Sequence, residues 1–436
     1  MIWIYRILFL PALLFALPFY LPRMVRRGGY GRNWRQRFGA FPALPPKRAG
    51  IRRVWIQAVS VGEVAAVEPL VRELTRNGRT EVVLTTTTST GHAVAKEKFA
   101  QTTLATGFFP VDFWLCSQKA WKRIQPDLAV LMEGELWPEH LWQAGRRGVP
   151  VALINARVSD ASLRRYGRFR GFARMLFARI AAVGAGSRED ARRLGQIGVP
   201  PEKISGTGNL KFEAGATSLR QMDEVEIRRW RARLGFGDAP DAPILLGSST
   251  WPGEEALLLN VLKRAREAAI PLRLLLVPRH AERRAEISRL LEKTNWRWFL
   301  RSQHPDTAPN AADICVADTT GELSRLTALA KVAFIGKSLP PNNGGQSPIE
   351  CAALGIPLVY GPCMTNFREA CRGLELENAA ICVPDATAAA NTLLELLNSP
   401  EKRAILSQNA RRWHSANQGA TTATIHLLDS LFPEKR

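Results

Sequence analysis

A succession of short, strongly apolar runs, each followed by a longer amphipathic stretch, constrains this chain more than any other feature. The first set is RVWIQAV (53–59), EVVLTTT (81–87), DLAVLME (127–133), VPVALINA (149–156) and IAAVGAG (180–186), with helical stretches such as 63–76, 136–147 and 188–197 between them. Such runs suit strands buried on both faces, and strands of that kind alternating with helices require a parallel sheet with βαβ crossovers. A charged stretch over 213–242 interrupts the pattern, which restarts with PILLGSS (243–249), LRLLLVP (272–278), DICVADT (313–319), KVAFIGKS (331–338) and PLVYGP (357–362). The expected fold class is α/β, with two Rossmann-like doubly wound domains whose ligands bind at the carboxyl ends of the strands, in a cleft between the domains. A length of 436 residues also favours two domains over one core. The expected boundaries are an anchor over 1–22, a basic and Pro-rich segment over 23–50, a first domain over 51–212, a linker region over 213–242 and a second domain over 243–436.

The N-terminus carries the one targeting feature. Residues 1–22 are almost wholly apolar, with one charge at Arg6, and Arg23, Arg26, Arg27, Arg32, Arg35 and Arg37 follow without an acidic residue. No small-residue cleavage site follows the apolar run, so the segment reads as an uncleaved anchor that spans the bilayer or lies in its interface. The competing reading is an apolar helix buried in the protein. The arginines place the rest of the chain in the cytoplasm and suit anionic headgroups, at about 1 kcal/mol each. The same preference for polyanions runs through the whole chain, whose 60 Lys and Arg against 39 Asp and Glu give a formal net charge of +21. Nucleic acid is not the expected partner, because the aromatics near the arginines (Tyr30, Trp34, Phe38) suit a membrane interface as well as a stacking platform. The six cysteines form no CxxC pair and the six histidines no metal spacing, so neither a structural metal nor a cofactor is expected.

The chemistry-bearing residues cluster where strands hand over to helices. SVGE (60–63) has capping-box spacing, in which Ser60 caps a helix and Glu63 reaches back to the backbone. MEGELWPE (132–139) puts Glu133 and Glu135 at the end of an apolar strand, where core packing does not explain two carboxylates. INARVSD (154–160) brings Asn155 and Arg157, and TGNLKFE (207–213) brings Asn209 and Lys211. In the second half, GSSTWPGEE (247–255) offers Ser249 and Thr250, VPRHAERR (277–284) offers Arg279 and His280, and DTTGEL (318–323) offers Glu322. GGQSPIECAALG (344–355) offers Gly344, Gly345 and Glu350, with Ser347 as helix cap and an anion-binding turn ahead of it. Each of these turns also has a plain structural reading. The absence of GxGxxG, GxxxxGK[ST] and GxSxG disfavours dinucleotide enzymes, NTPases and serine hydrolases, leaving a transferase with a nucleotide-activated donor.

Taken in order, SVGE, EGELWP, NARVS, TGNLKF, STWPGEE, VPRH, DTTGEL and GGQSPIE…GPCMTNF resemble the 3-deoxy-D-manno-octulosonic acid (Kdo) transferase family, from the N-terminus to about residue 370. The resemblance implies a GT-B fold and inverting transfer of Kdo from CMP-Kdo to a lipid A precursor in lipopolysaccharide biosynthesis. It also implies an N-terminal anchor in the bacterial inner membrane, action at the cytoplasmic face and no metal. It makes Glu63 the general base and Glu133 and Glu135 required carboxylates. Ser249, Thr250, Arg279, His280, Glu322, Gly344, Gly345 and Glu350 fall to the donor, as do Asn209 and Lys211 at the crossover. Arg32, Arg35, Arg37 and Arg157 fall to the acceptor and membrane. Trp251 departs from a common His, Gln346-Ser347 from His-Asn, Cys351 from Pro and Cys363 from His. The alternative is another envelope GT-B enzyme that uses a UDP-sugar and a lipid acceptor.

Overall fold

Both apolar successions fold as parallel sheets. A computed structural model describes residues 2–27, 33–213, 222–304, 309, 311–319 and 321–432. The first sheet contains β1 (Arg52–Gln57), β2 (Thr80–Thr86), β3 (Ala105–Phe108), β4 (Leu128–Met132), β5 (Val151–Ala156), β6 (Ala182–Ala185) and β7 (Ile204–Gly206). The second contains β8 (Ile244–Thr250), β9 (Arg273–Pro278), β10 (Trp298–Leu300), β11 (Ile314–Val316), β12 (Val332–Ile335), β13 (Leu358–Tyr360) and β14 (Ile381–Cys382). Their orders are β3-β2-β1-β4-β5-β6-β7 and β10-β11-β9-β8-β12-β13-β14. The order in which strands are added therefore reverses between β1 and β4 in one sheet and between β8 and β12 in the other. These two switch points are where doubly wound sheets hold ligands.

Alternation along β1 explains why the sheet must be covered twice. Val54 and Ile56 pack into one fully buried cluster with Leu84, Val130 and Ile154, whereas Trp55 packs into another with Val83, Trp121 and Leu131. Burying side chains of this size is worth about 1.5–3 kcal/mol each, so helices on both faces are energetically required. In the second sheet Leu245, Leu274, Leu276, Val316, Val332 and Phe334 make an equivalent core.

The four strands not foreseen from the sequence, β3, β7, β10 and β14, are the four sheet edges. Edge strands here run two to four residues. An edge has one neighbour and a solvated flank, so it needs no long apolar run.

The boundaries also differ. The chain divides into one unit of Met1–Ala214 with Asn417–Arg436, and a second of Gly215–Ala416. The expected 213–242 linker instead includes the helix Glu224–Arg233, whose Trp230 is buried together with Leu234 and Phe236. At the other end the chain returns to its first unit. The Thr421 N–H donates to Glu213 at 3.0 Å, and the Arg52 guanidinium lies 4.2 Å from the Phe432 ring centroid. A charged, low-hydrophobicity stretch reads as a linker even when a few large side chains tie it down.

The N-terminal segment is a helix, Ile2–Arg27, as expected of an anchor. A spanning anchor is not what the structure supports: among the described residues no helix is long and apolar enough to cross a membrane. One face is instead bound to the first unit. The Arg6 guanidinium forks onto Glu139 at 2.8 and 2.9 Å, Tyr5 donates to Asp112 at 2.6 Å, and Phe9 stacks on Phe113. Trp3, Ile4, Ile7, Leu8, Leu14 and Phe15 are exposed. Glu139 is fully buried, and removing its cation leaves a buried charge at a cost of about 3–5 kcal/mol. Arg6→Met is therefore expected to lower the first unit's melting temperature by several degrees, read by calorimetry, and Arg6→Met with Glu139→Leu to recover most of that loss.

Candidate active site

In the first unit the switch point assembles six of the residues singled out in the sequence: Glu63, Glu133, Glu135, Asn155, Asn209 and Lys211. Glu63 follows β1 in the short helix Val61–Ala66 and is buried, with 6% of its surface exposed. Ser60 occupies the N-cap position, but its side chain accepts no backbone bond, so the capping box is not formed. The hydroxyl instead donates to Glu63 Oε1 at 3.1 Å, while the Val59 N–H donates to Oε2 at 2.9 Å. One carboxylate oxygen is thus tied to backbone and the other only to a rotatable hydroxyl. Burial pushes the Glu63 carboxyl above the ordinary carboxylate range, with the negative charge of Glu133 adding to it, against hydrogen bonds from Val59 and Ser60 and the charge of Lys211.

Glu133 directly follows β4 and Asn155 is the penultimate residue of the neighbouring β5, whose register pairs Met132 with Ile154. Both adopt left-handed backbone, with φ of 55° and 50°. Asparagine tolerates this conformation, while glutamate does so at a cost of about 1 kcal/mol or more. The turn aims Glu133 at Lys211, whose ammonium lies 2.5 Å from its carboxylate. Asn155 supplies the other half of that contact. Its Oδ1 accepts from the Leu210 N–H at 3.0 Å, and Asn209 Oδ1 accepts from the Lys211 N–H at 3.0 Å, fixing the loop that carries the lysine. Asn209 and Lys211, assigned to the donor from the sequence, lie beside the carboxylate cluster of the first unit. Asn155 stood in a quoted motif without a role, and its only sequence signal is an amide at a strand end.

Glu135 lies two residues beyond Glu133 and is partly buried. Burial first, then the charges of Glu63 and Glu133, push its carboxyl up to about 7. Three acidic groups and one lysine thus share a strand-end cluster, an arrangement that can hold a proton near neutral pH.

The basic residues assigned to the acceptor and membrane separate. Arg32 lies outside the described residues. Arg35 is exposed. Arg37 is built into the first unit, donating to the Thr87 carbonyl at 2.7 Å and lying 4.0 Å from the Phe108 ring centroid, so it is not a free headgroup ligand. Arg157 is half-buried, and its N–H bonds the Glu133 carbonyl.

The second unit's switch point gathers Ser249, Thr250, Gly344 and Gly345. Ser249 has φ of 54°, and a Cβ on Gly336 would fall on its carbonyl oxygen, so the β8 and β12 ends approach backbone to backbone. Thr250 is fully buried. Gly344 and Gly345 have φ of 109° and 68°, and a side chain on Gly345 would strike Met364. Arg279 and His280 are exposed at the β9 end, where the Arg279 N–H bonds the Thr250 carbonyl. Glu350 is half-buried, and burial raises its carboxyl above the ordinary range against a hydrogen bond from Ser347. Glu322 does not stand free for a ligand. Arg301 forks onto it at 3.0 and 2.9 Å, and despite burial these bonds hold its carboxyl below the ordinary range. The helix after the glycines covers only Ile349–Leu354, with Pro348 at its N-cap position, and Ser347 makes no cap; its hydroxyl accepts from the Ile349 N–H at 3.3 Å.

Sequence comparisons identify the family. A family model for 3-deoxy-D-manno-octulosonic-acid transferase (kdotransferase) matches residues 32–214. The chain is 35% identical over 400 residues to a 3-deoxy-D-manno-octulosonic acid transferase from Bordetella pertussis, covering 90% of each. It belongs to the Kdo transferase family. A second member, from Haemophilus influenzae, is 31% identical, covering 94% of this chain and 92% of that one. Among solved structures, a UDP-GlcNAc 2-epimerase from Neisseria meningitidis superposes with a TM-score of 0.60 over 87% of this chain and all of its own, at 14% identity, a likeness of fold alone.

The raised carboxyls in this Kdo transferase family member make its stability depend on pH. A folded-state value above the unfolded one means that the native state holds the proton more tightly, so stability is lost as pH rises through the window from about 4.3 to the Glu135 value of about 7. Glu135→Gln is expected to raise the melting temperature more at pH 8 than at pH 5, and equal shifts at the two would contradict the assignment.

Proposed function

We propose that the chain is an inverting GT-B glycosyltransferase of lipopolysaccharide biosynthesis, moving Kdo from CMP-Kdo to a hydroxyl of a lipid A precursor. The observation that carries the reading is the state of Glu63: buried, raised, and held by one backbone N–H and one hydroxyl instead of serving as a helix cap. In the reaction, the acceptor hydroxyl oxygen forms a bond to the anomeric carbon of Kdo from the face opposite CMP. The bond between that carbon and the phosphate oxygen breaks, CMP departs with the electron pair, and the hydroxyl proton passes to Glu63. Burial keeps the carboxylate basic enough to accept it, and the Lys211–Glu133 pair limits how far the neighbouring charge raises its proton affinity. No step is assigned to a metal.

The two switch points divide the work, with the acceptor at the carboxylate cluster of the first unit and the nucleotide at the glycine turn of the second. The exposed apolar row from Trp3 to Phe15 supports a helix lying in the anionic inner-membrane interface on the cytoplasmic side, with Arg35 at the headgroups.

Transfer from freshly generated CMP-Kdo to a tetra-acylated lipid A precursor tests the base. Glu63→Gln is expected to lower turnover by about 100- to 10,000-fold, with melting temperature and CMP binding unchanged. Survival of turnover with a fall in melting temperature would instead make SVGE structural. A second measurement separates the UDP-sugar alternative: CMP, and not UDP, is expected to protect the protein against heat.

A further inference from the structure

Lys337 immediately follows Gly336 at the end of β12, on the switch point of the second sheet. Its φ of 59° is left-handed, a conformation that glycine adopts freely and lysine adopts at a cost of about 1–2 kcal/mol. The turn is held by Glu254, whose carboxylate accepts from the N–H groups of Trp251 at 2.8 Å, Lys337 at 2.9 Å and Ser338 at 3.1 Å. Three backbone donors on one buried carboxylate fix where the Lys337 side chain leaves the sheet.

That side chain goes to an aromatic face. The ammonium lies 4.3 Å from the Trp251 ring centroid, and the His280 ring packs edge-on against the same indole at 5.4 Å between centroids. A Cβ built on Gly344 would lie 3.7 Å from Lys337 Nζ, so the charge sits beside the double-glycine turn. Among the described residues no carboxylate forms an ion pair with Lys337. The Trp251 indole N–H is likewise buried without a hydrogen-bond partner among the described residues. A half-buried cation resting on a ring, worth about 0.5–2 kcal/mol, keeps its N–H donors available for a stronger acceptor. Phosphate is that acceptor in charge and reach.

We propose that Lys337 binds the phosphate of the nucleotide-activated sugar, with Trp251 as the platform that holds the ammonium beside Gly344. The assignment rests on the nucleotide-donor reading above and adds a residue to it. It also explains why a lysine occupies a glycine-like backbone position: the strain is offset only when the charge is used.

Lys337→Gly tests this without endangering the fold, because glycine relieves the left-handed backbone while removing the ammonium. Binding of CMP and of cytidine to the full-length protein is measured by calorimetric titration for wild type, Lys337→Gly and Lys337→Arg, with melting temperatures in parallel. Loss of a charge-assisted contact is expected to weaken CMP about ten- to a hundredfold in Lys337→Gly, to leave cytidine unchanged, and to be largely restored in Lys337→Arg. CMP affinity equal to wild type in Lys337→Gly overturns the proposal, as does an equal loss for CMP and cytidine, which would mark a merely structural residue. If wild type binds UMP and not CMP, the donor reading fails while the UMP and uridine pair tests Lys337 in the same way. If no nucleotide binds wild type, both fail.

Discussion

Backbone N–H groups at the carboxyl ends of parallel strands have no partner within the sheet, and in both units a buried glutamate supplies one. Glu254 accepts three of them, from the ends of β8 and β12, and so clamps the second switch point. Glu63 accepts one, from Val59 at the end of β1, and a hydroxyl from Ser60. Burial raises both carboxyls. The difference in saturation separates their roles. A carboxylate with both oxygens occupied by amides is a fastener, whereas one with an oxygen facing only a rotatable hydroxyl can take up a proton. Sequence position alone makes the two look alike, since each begins a helix after the first strand of its sheet.

The remainder of each site is built on those fastened ends. In the first unit, left-handed turns at Glu133 and Asn155 direct one carboxylate toward Lys211 and one amide toward the loop that carries it. In the second, left-handed turns at Ser249 and Lys337 bring two strand ends into backbone contact and place a cation beside Gly344. Backbone strain of this kind costs of order 1–3 kcal/mol per residue and persists only where surrounding bonds over-determine it. Here those bonds are the glutamate and asparagine contacts to neighbouring N–H groups.

The N-terminal helix shows how one buried pair changes a functional reading. Apolar composition followed by arginines reads as an anchor, and the helix does expose an apolar row. Arg6, the one charge within it, is the residue that fastens the helix to Glu139, and Tyr5 joins the same buried group through Asp112. A charge that looks like a flaw in a membrane segment is the docking contact.

Strands buried on both faces were legible in the sequence because a central parallel strand leaves no room for polar residues, and their order along the chain settled the doubly wound class. The chemistry-bearing turns were legible too, because carboxylates and hydroxyls at the ends of such strands have no packing explanation. Edge strands, the helix within 213–242, the return of the C-terminal segment to the first unit and the partners of individual carboxylates were decided only by tertiary structure. Each depends on what lies across space from a residue: a neighbouring strand, a buried Trp230, a Glu213 beside Thr421, a Val59 N–H beside Glu63. Spacing along the chain states which groups can meet; only the packed sheet decides which of them are left with a free oxygen or a free charge.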